Sequence, residues 1–357
     1  MSLFGNKQPQ MLGLDISSTC VKLLEISKNK GKYRIDSYAV EPLPANAVVE
    51  KTIQGEEGVE AAGEAVKRAV KRSGSKTKLA CLAVPSSAAI TKEISMPADL
   101  TEDQIEAQIQ LEAEQYIPYP ADEVYMDFLV LGPNAKNPET VDVLIAASRD
   151  ENVGARTGAV RPAGLTPKEV GVEAYAIEDA FKLLSHQVPD YGVDKTVAIV
   201  DIGATMTSLN VLHDGKLAYT REQPFGGKQL TEEIMRRYGL SFEDAGRVKK
   251  EGGLPENYEP EVLTPFKETM SQQVGRFLQF YYSATEQEHV DHIILAGGCA
   301  NIPNIADIVE HNLGITTSIA DPFAHVEIDK RVAQNRLMND ATALLIACGL
   351  ALRSVDE

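Results

Sequence analysis

The chain has 357 residues, enough for about two domains. Its hydrophobic share of 43% and charged share of 24% are those of a globular protein. A formal net charge of −17 excludes a chain that wraps nucleic acid or lies on an anionic bilayer, since both need basic surface.

The longest apolar stretch, 341–352, has 12 residues, short of the roughly 20 that a spanning helix needs. Residues 1–10 contain one lysine and no apolar run of the signal-peptide kind. The expectation is a cytoplasmic protein. Cys20, Cys81, Cys299 and Cys348 are scattered with no Cys-x-x-Cys pair, the pattern of reduced thiols. His289 and His292 would share a helical face, but two histidines alone fall short of a metal site's ligand count, and none is expected here.

After a loose lead-in over 1–10, "MLGLDISSTCVKLLEI" (11–26) reads as a strand ending at Asp15, a polar corner of Ser17, Ser18 and Thr19, and a second strand. Period-two alternation predicts a third strand over 33–44. Val59, Ala62, Val66 and Val70 fall on one face of a helix over 56–74, with Gly74 as its stop. Residues 78–85 form a buried strand. A helix over 100–120 opens on a Thr101–Gln104 capping box and runs to Pro118. Two strands separated by "PNAKNPET" complete a small inserted α/β unit.

Beyond the break at 189–195, "VAIVDIGATMTSLNVL" (197–212) repeats the first motif: Asp201 ends a strand, and Gly203, Ala204 and Thr205 turn the chain. Helices follow over 228–239, 242–253 and 266–284, the last with Phe266, Met270, Val274, Phe277 and Tyr281 as its core stripe. A strand from His292 runs into Gly297 and Gly298, and a buried helix closes the chain over 338–352. The expected organisation is a first lobe (1–84 and 165–193) interrupted by an inserted subdomain (85–164). A second lobe (194–337) and a C-terminal helix (338–357) follow.

Two α/β halves of this kind enclose a cleft with an aspartate on each wall. A tight Ser, Thr or Gly corner turns backbone N–H groups toward one point and so favours an anion. Ser17, Ser18, Thr19, Thr205 and Thr207 add hydroxyl donors, and Lys22 can place a charge on a phosphate. Two carboxylates across a phosphate chain suit Mg²⁺, which keeps several waters. Taken singly, either corner is an ordinary β-turn; the matched pair followed by a diglycine is the signal. No Walker motif and no Gly-x-Gly-x-x-Gly occurs, and "GSKT" (74–77) lacks the preceding glycine.

The order hairpin, insert, hairpin and diglycine resembles the actin-like ATPase superfamily. Within it, "GLDISSTCVKLLEI", "LEAEQYIPYPADEVYMDF", "FGGKQLTEEI" and "ACGLALR" are most similar to the PilM family of type IV pilus assembly. The resemblance implies a two-domain actin-like fold that binds ATP or ADP with Mg²⁺. It makes Asp15, Ser17, Ser18, Thr19 and Lys22 the first phosphate loop and Asp201, Gly203, Ala204 and Thr205 the second. Asp15 and Asp201 would hold Mg²⁺ mostly through water. Gly297 and Gly298 would lie against the nucleoside, with Gly227, Lys228 and Glu232 on the nucleotide side and Lys249 near the adenine. Relatives often carry an acid three places before that lysine; this chain has Gly246, and Glu243 is the nearest substitute. Glu173 occupies the position of a water-orienting residue, with two equal readings: a general base, or a group that holds hydrated Mg²⁺ or caps its helix.

For partners, the resemblance implies the N-terminal cytoplasmic tail of PilN in a groove between the first lobe and the insert. It extends to the pilus motor ATPases, and it implies membrane contact only through the partner. The implied role is a scaffold with at most weak ATPase activity. An FtsA-like filament former and a small-molecule kinase of the same superfamily stand as alternatives.

Overall fold

The computed structural model describes residues 9–287 and 289–356, so most of the expected lead-in lies outside it. Met11–Ile16 (β1), Cys20–Asn29 (β2) and Lys32–Pro42 (β3) form an antiparallel meander. A two-residue-loop hairpin, Val48–Val49 (β4) and Thr52–Ile53 (β5), leads into Gly55–Ser73 (α1), which ends on left-handed Gly74. Leu79–Val84 (β6) then pairs parallel to β1.

The insert comprises Ala89–Pro97 (β7), Glu102–Leu111 (α2), Ala113–Tyr116 (α3), Val124–Pro133 (β8) and Thr140–Arg149 (β9). Thr101 makes the capping box with Gln104. The helix expected over 100–120 is two pieces, broken at Glu112. The break lets Ala113 and Ile117 pack on Ala147 as a cluster separate from that of Ile105 and Ile109. The sheet ends at Arg149, and the next helix, Asp150–Val160 (α4), packs on α1 through Ala159 and Val160. Structurally the insert is therefore 89–149 rather than 85–164, because α4 buries its apolar face in the first lobe.

Thr166–Val172 (β10) and Glu173–Leu184 (α5) finish that lobe. The second lobe runs Thr196–Ile202 (β11), Thr207–His213 (β12), Lys216–Gln223 (β13), Gly227–Tyr238 (α6), Phe242–Glu251 (α7) and Thr264–Ala284 (α8). It continues through His292–Ala296 (β14), Ile305–Leu313 (α9) and Thr317–Ile319 (β15). The chain then returns to the first lobe with Glu327–Ile328 (β16), which pairs with β3, then Gln334–Asp340 (α10) and Leu345–Asp356 (α11).

The two large sheets share one plan: β3-β2-β1-β6-β10 in the first lobe, with β16 added at its edge, and β13-β12-β11-β14-β15 in the second. In each, an antiparallel hairpin is extended by two parallel strands. Helices α1 and α4 cover one face of the first sheet. Helices α5 and α11 lie between the sheets, sharing a core with Ile26 and Ile35 on one side and Ile199 and Ile294 on the other. On the far face of the second sheet α8 buries Met270, Val274, Phe277 and Tyr281, the predicted stripe. The middle layer is tight: a side chain at Gly349 of α11 would run into the Ala176 carbonyl of α5.

The helix expected over 338–352 is instead two helices meeting at a 101° bend. The turn between them brings the Thr342 carbonyl to the Gly297 N–H at 2.8 Å, so the bend belongs to the cleft. Among the described residues no single helix is long and apolar enough to cross a membrane.

Candidate functional site

Asp15 faces Lys22 across the β1–β2 register, and the ammonium meets the carboxylate at 2.8 Å, both largely buried. Burial alone would lower the proton affinity of Lys22, but Asp15, Cys20 and Asp201 together raise it above the ordinary value. The corner closes on itself: the Ser17 N–H and hydroxyl both donate to the Cys20 carbonyl, at 3.0 and 2.9 Å.

Asp201 differs. The residue opposite it is Ser208, and no hydrogen bond or salt bridge holds its carboxylate among the described residues. Burial pushes its carboxyl above the usual range; Lys22 and Lys51 pull the other way, while Asp15 and Glu222 add to the rise. Gly297 sits beside it at φ +81°, where a Cβ would collide with the Ile202 carbonyl and with Asp201 Oδ1. Only glycine meets both conditions. Thr342 Oγ1, on the residue that accepts from Gly297, is buried without a hydrogen-bond partner.

The second corner carries the start of α6. Gly227 N–H donates to the Gly203 carbonyl (3.0 Å) and Lys228 N–H to that of Ala204 (2.8 Å). Lys249 reaches back from α7 to the Gly227 carbonyl (3.0 Å) and to Thr231 Oγ1 (2.7 Å), and its burial lowers its proton affinity. Cys299 Sγ lies 3.5 Å from the Gly203 carbonyl, with its thiol pushed up to about 11 by burial, so it is an inert thiol. The two corners touch directly: Thr205 Oγ1 donates to Ser18 Oγ at 2.8 Å.

Contacts thus bring Asp15, Ser18, Lys22, Asp201, Gly203, Ala204, Thr205, Gly227, Lys249 and Gly297 together where the two corners meet, with Ser17 closing the first corner. Gly298 has open space where a side chain would be. The side chains of Lys228 and Glu232 are exposed and pair with each other at 3.8 Å; Thr231 is the α6 side chain that faces Lys249. At Gly246 nothing lies within 4 Å of where a Cβ would stand, and Glu243 is exposed. His292 begins strand β14 with Nε2 at 2.8 Å from Ser318 Oγ, so it shares no helical face with His289.

Glu173 opens α5 in a buried position. Burial pushes its carboxyl up, Asp15 and Glu222 reinforce this, and Lys51 opposes it. Lys51 Nζ sits 2.5 Å from Glu173 Oε2 and 2.6 Å from Oε1 of Glu222, on β13 of the second lobe. Sequence reasoning points to neither Lys51 nor Glu222. Lys51 is at the tip of the β4–β5 hairpin, where Glu50 (φ 47°) and Lys51 (φ 65°) are both left-handed without a glycine. Backbone strain of this kind collects at functional sites. Two-residue hairpin turns favour Asn-Gly or Asp-Gly, so "VVEKTI" carries no turn signal in sequence.

A nucleotide fits the donor set: two cations, two hydroxyl-bearing corners and a glycine floor. A metal fits only in part. No group of three or more His, Cys, Asp or Glu able to hold an ion occurs among the described residues, and Asp15 is engaged by Lys22. Asp201 is the carboxylate left to meet a cation, so phosphate oxygens and water would supply the other ligands.

Residues 13–355 match the model of the family described as type IV pilus assembly protein PilM. The solved PilM-PilN type IV pilus biogenesis complex is similar over 98% of this chain and 100% of that one, with 28% identity and a TM-score of 0.78. Ethanolamine utilization protein EutJ from Carboxydothermus hydrogenoformans shares the fold, with 17% identity and a TM-score of 0.54 over 95% of this chain and 89% of that one. Cell division protein FtsA of Bacillus subtilis (strain 168) is 28% identical over 148 residues, 35% of this chain and 34% of that protein. FtsA of Enterococcus hirae is 24% identical over 185 residues, 46% of this chain and 40% of that protein. The chain therefore spans well under half of these curated relatives. Its two matched sheets, the insert and the family match over nearly its whole length agree: the fold is actin-like, and the chain belongs to the PilM family of type IV pilus assembly proteins.

Proposed function

We propose that this protein is an ATP-binding scaffold of the type IV pilus assembly platform, with the N-terminal tail of a PilN-type membrane protein held against its inserted sheet. The observation that carries this reading is the likeness to the PilM-PilN complex, which runs through both lobes and the insert rather than through one lobe. The scaffold works in the cytoplasm, meets the membrane only through that partner, and faces the pilus motor ATPases on its other side.

The residues that would hold ATP stand on the two corners, where Thr205 Oγ1 and Ser18 Oγ, now bonded to each other, would turn to phosphate oxygens. Ser17, Ser18, Thr19 and Thr205 supply donors, and Lys22 and Lys51 supply charge. Asp201 would hold a hydrated Mg²⁺, which when bound would neutralise phosphate charge. Gly297 and Gly298 present bare backbone to the nucleoside, with Lys249 behind them. Before any nucleotide binds, Lys51 sits on Glu173, so that carboxylate holds an ammonium rather than a water.

The tail's place is the outward face of the insert. Its strand order is β7-β9-β8, so β8 has a free edge, and Tyr125, Leu129 and Leu131 are exposed along it. Toward the first lobe Tyr175 of α5 reaches Thr91 of β7, flanked by Glu93 and Glu178. An apolar wall with an acidic rim suits an extended tail that carries apolar side chains and a basic residue. Titration of a labelled PilN-type tail peptide into the full chain tests this. Micromolar binding, weakened at least about tenfold by Leu129→Asp, is the expected result, a loss of roughly 1.4 kcal/mol. A peptide that does not bind removes the partner assignment and leaves the cleft.

A further inference from the structure

One carboxylate of the second lobe touches both the cleft and the root of the inserted sheet. The side chain of Glu222 is buried and divides its oxygens: Oε1 accepts from Lys51 Nζ at 2.6 Å, and Oε2 accepts from the Ser87 N–H at 3.2 Å. Ser87 lies in the short turn Ser86–Ala88 that feeds β7. The returning strand is tied to the same turn, since Ser148 Oγ donates to the Ala88 carbonyl at 2.8 Å. The helix after that strand holds Lys51 from behind, with Arg156 Nη2 donating to the Lys51 carbonyl at 2.7 Å. Both roots of the insert thus converge on the Lys51–Glu222 pair. Burial pulls the Glu222 carboxyl upward, but Lys51 and the Ser87 contact hold it below the ordinary range, so it is an anion with two donors.

We infer that Glu222 is a positioning residue that couples Lys51, in the cleft, to the root of the inserted sheet, so that a phosphate drawing Lys51 away loosens the insert. The phosphate side of this coupling rests on the nucleotide reading above. An ammonium has three donors and no fixed direction, and a polyphosphate competes for it with more charge than a single carboxylate. Glu222 deprived of Lys51 is a buried charge left with one neutral donor, the Ser87 N–H, and no counter-charge, an arrangement the protein does not sustain. It swings toward water and gives up the Ser87 N–H. By linkage, anything that fixes the Ser86–Ala88 turn opposes phosphate binding by the same factor. The two-residue hairpin at Glu50–Lys51 is suited to this part because both residues are held left-handed without a glycine, so the turn gains by relaxing when the contacts on Lys51 are released.

Hydrogen exchange at residues 86–89 of the full chain tests the coupling. Mg·ATP is expected to speed exchange of the Ser87 amide about tenfold in the unaltered protein, within the usual range of coupling between sites. Glu222→Gln is expected to exchange fast already, to show no further response, and still to melt higher with Mg·ATP. Unaltered exchange at Ser87 in a protein whose melting shows that Mg·ATP has bound would overturn the inference while leaving the nucleotide site standing. So would a Glu222→Gln chain that responds as fully as its parent. If Mg·ATP leaves the melt unmoved, the nucleotide reading falls separately, and Lys51→Met decides the coupling: faster Ser87 exchange without any ligand upholds it, and unchanged exchange ends it.

Discussion

The two aspartate hairpins have the same strand pairing and different fates. Opposite Asp15 stands Lys22, and the pair is closed at 2.8 Å; opposite Asp201 stands Ser208, and the carboxylate is left with a raised proton affinity beside a glycine floor. The first corner satisfies its own backbone through Ser17, whereas the second lends its carbonyls to the start of α6. One half of the duplicated motif is electrostatically complete and holds the lobe together. The other is incomplete and costs stability unless something cationic arrives. A duplicated fold can thus leave one copy of a motif with its charges paired and the other with a carboxylate unpaired among the described residues.

The contrast breaks most visibly at Lys22. Lys22→Met leaves Asp15 buried without a counter-charge and is expected to cost about 3–5 kcal/mol in urea unfolding. A loss within about 1 kcal/mol, the scale of an exposed pair, would mean that the first hairpin is no more finished than the second.

Asp201→Asn carries the opposite sign. The folded chain favours protonated Asp201, so that group's contribution to stability is present at low pH and lost as pH rises through its raised folded pKa. The asparagine chain has no such loss. Without ligand it should melt higher than its parent, by a margin that grows as pH rises from the ordinary carboxylate range through the raised pKa of Asp201 and is constant above it. At about 100 Kd of Mg·ATP the parent gains roughly 2.7 kcal/mol, and the variant should lose most of that gain. Parallel melting curves of the two chains across pH would show that Asp201 is not strained.

Gly297→Ala tests the floor beneath Asp201. A side chain at φ +81° against the Ile202 carbonyl should cost about 1–3 kcal/mol and abolish the Mg·ATP shift. The same substitution at Gly298, where there is open space, should leave stability within about 0.5 kcal/mol. Equal effects at the two glycines would remove the steric argument.

The smallest effect sharpens the base end. Gly246→Glu places an acid three residues before Lys249 in unoccupied space. It should add up to about 1 kcal/mol through helix propensity. ATP binding should tighten about threefold by calorimetry, the worth of a modest hydrogen bond. Weaker ATP binding would show that this end of the cleft does not face the base.

Much of this was legible along the chain because it depends on local chemistry. Apolar runs ending in Asp15 and Asp201, the Thr101 capping box, the α8 stripe and the glycine after β14 are all set by period and turn preference, and each appears in the fold. The family resemblance singled out the second lobe's glycines, and of these Gly297 lies against Asp201 and Gly227 against the Gly203 carbonyl. The broken helices at Glu112 and Leu344 did not show, because their residues suit a continuous helix and only packing elsewhere bends them. The end of the insert at Arg149 was hidden for the same reason: α4 looks alike whether it covers one sheet or another.

The sequence by itself determined the duplication, the aspartate-tipped hairpins and the glycines that let backbone approach backbone, since periodicity and steric freedom are properties of neighbouring residues. Only the tertiary structure decided how Asp201 would be shielded from water and which distant charges would surround it. It alone brought Lys51 and Glu222, 171 positions apart, to 2.6 Å across the cleft. Charges buried by distant strands interact through space in a medium of low polarity, and their partners are chosen by the packing of the lobes rather than by order along the chain.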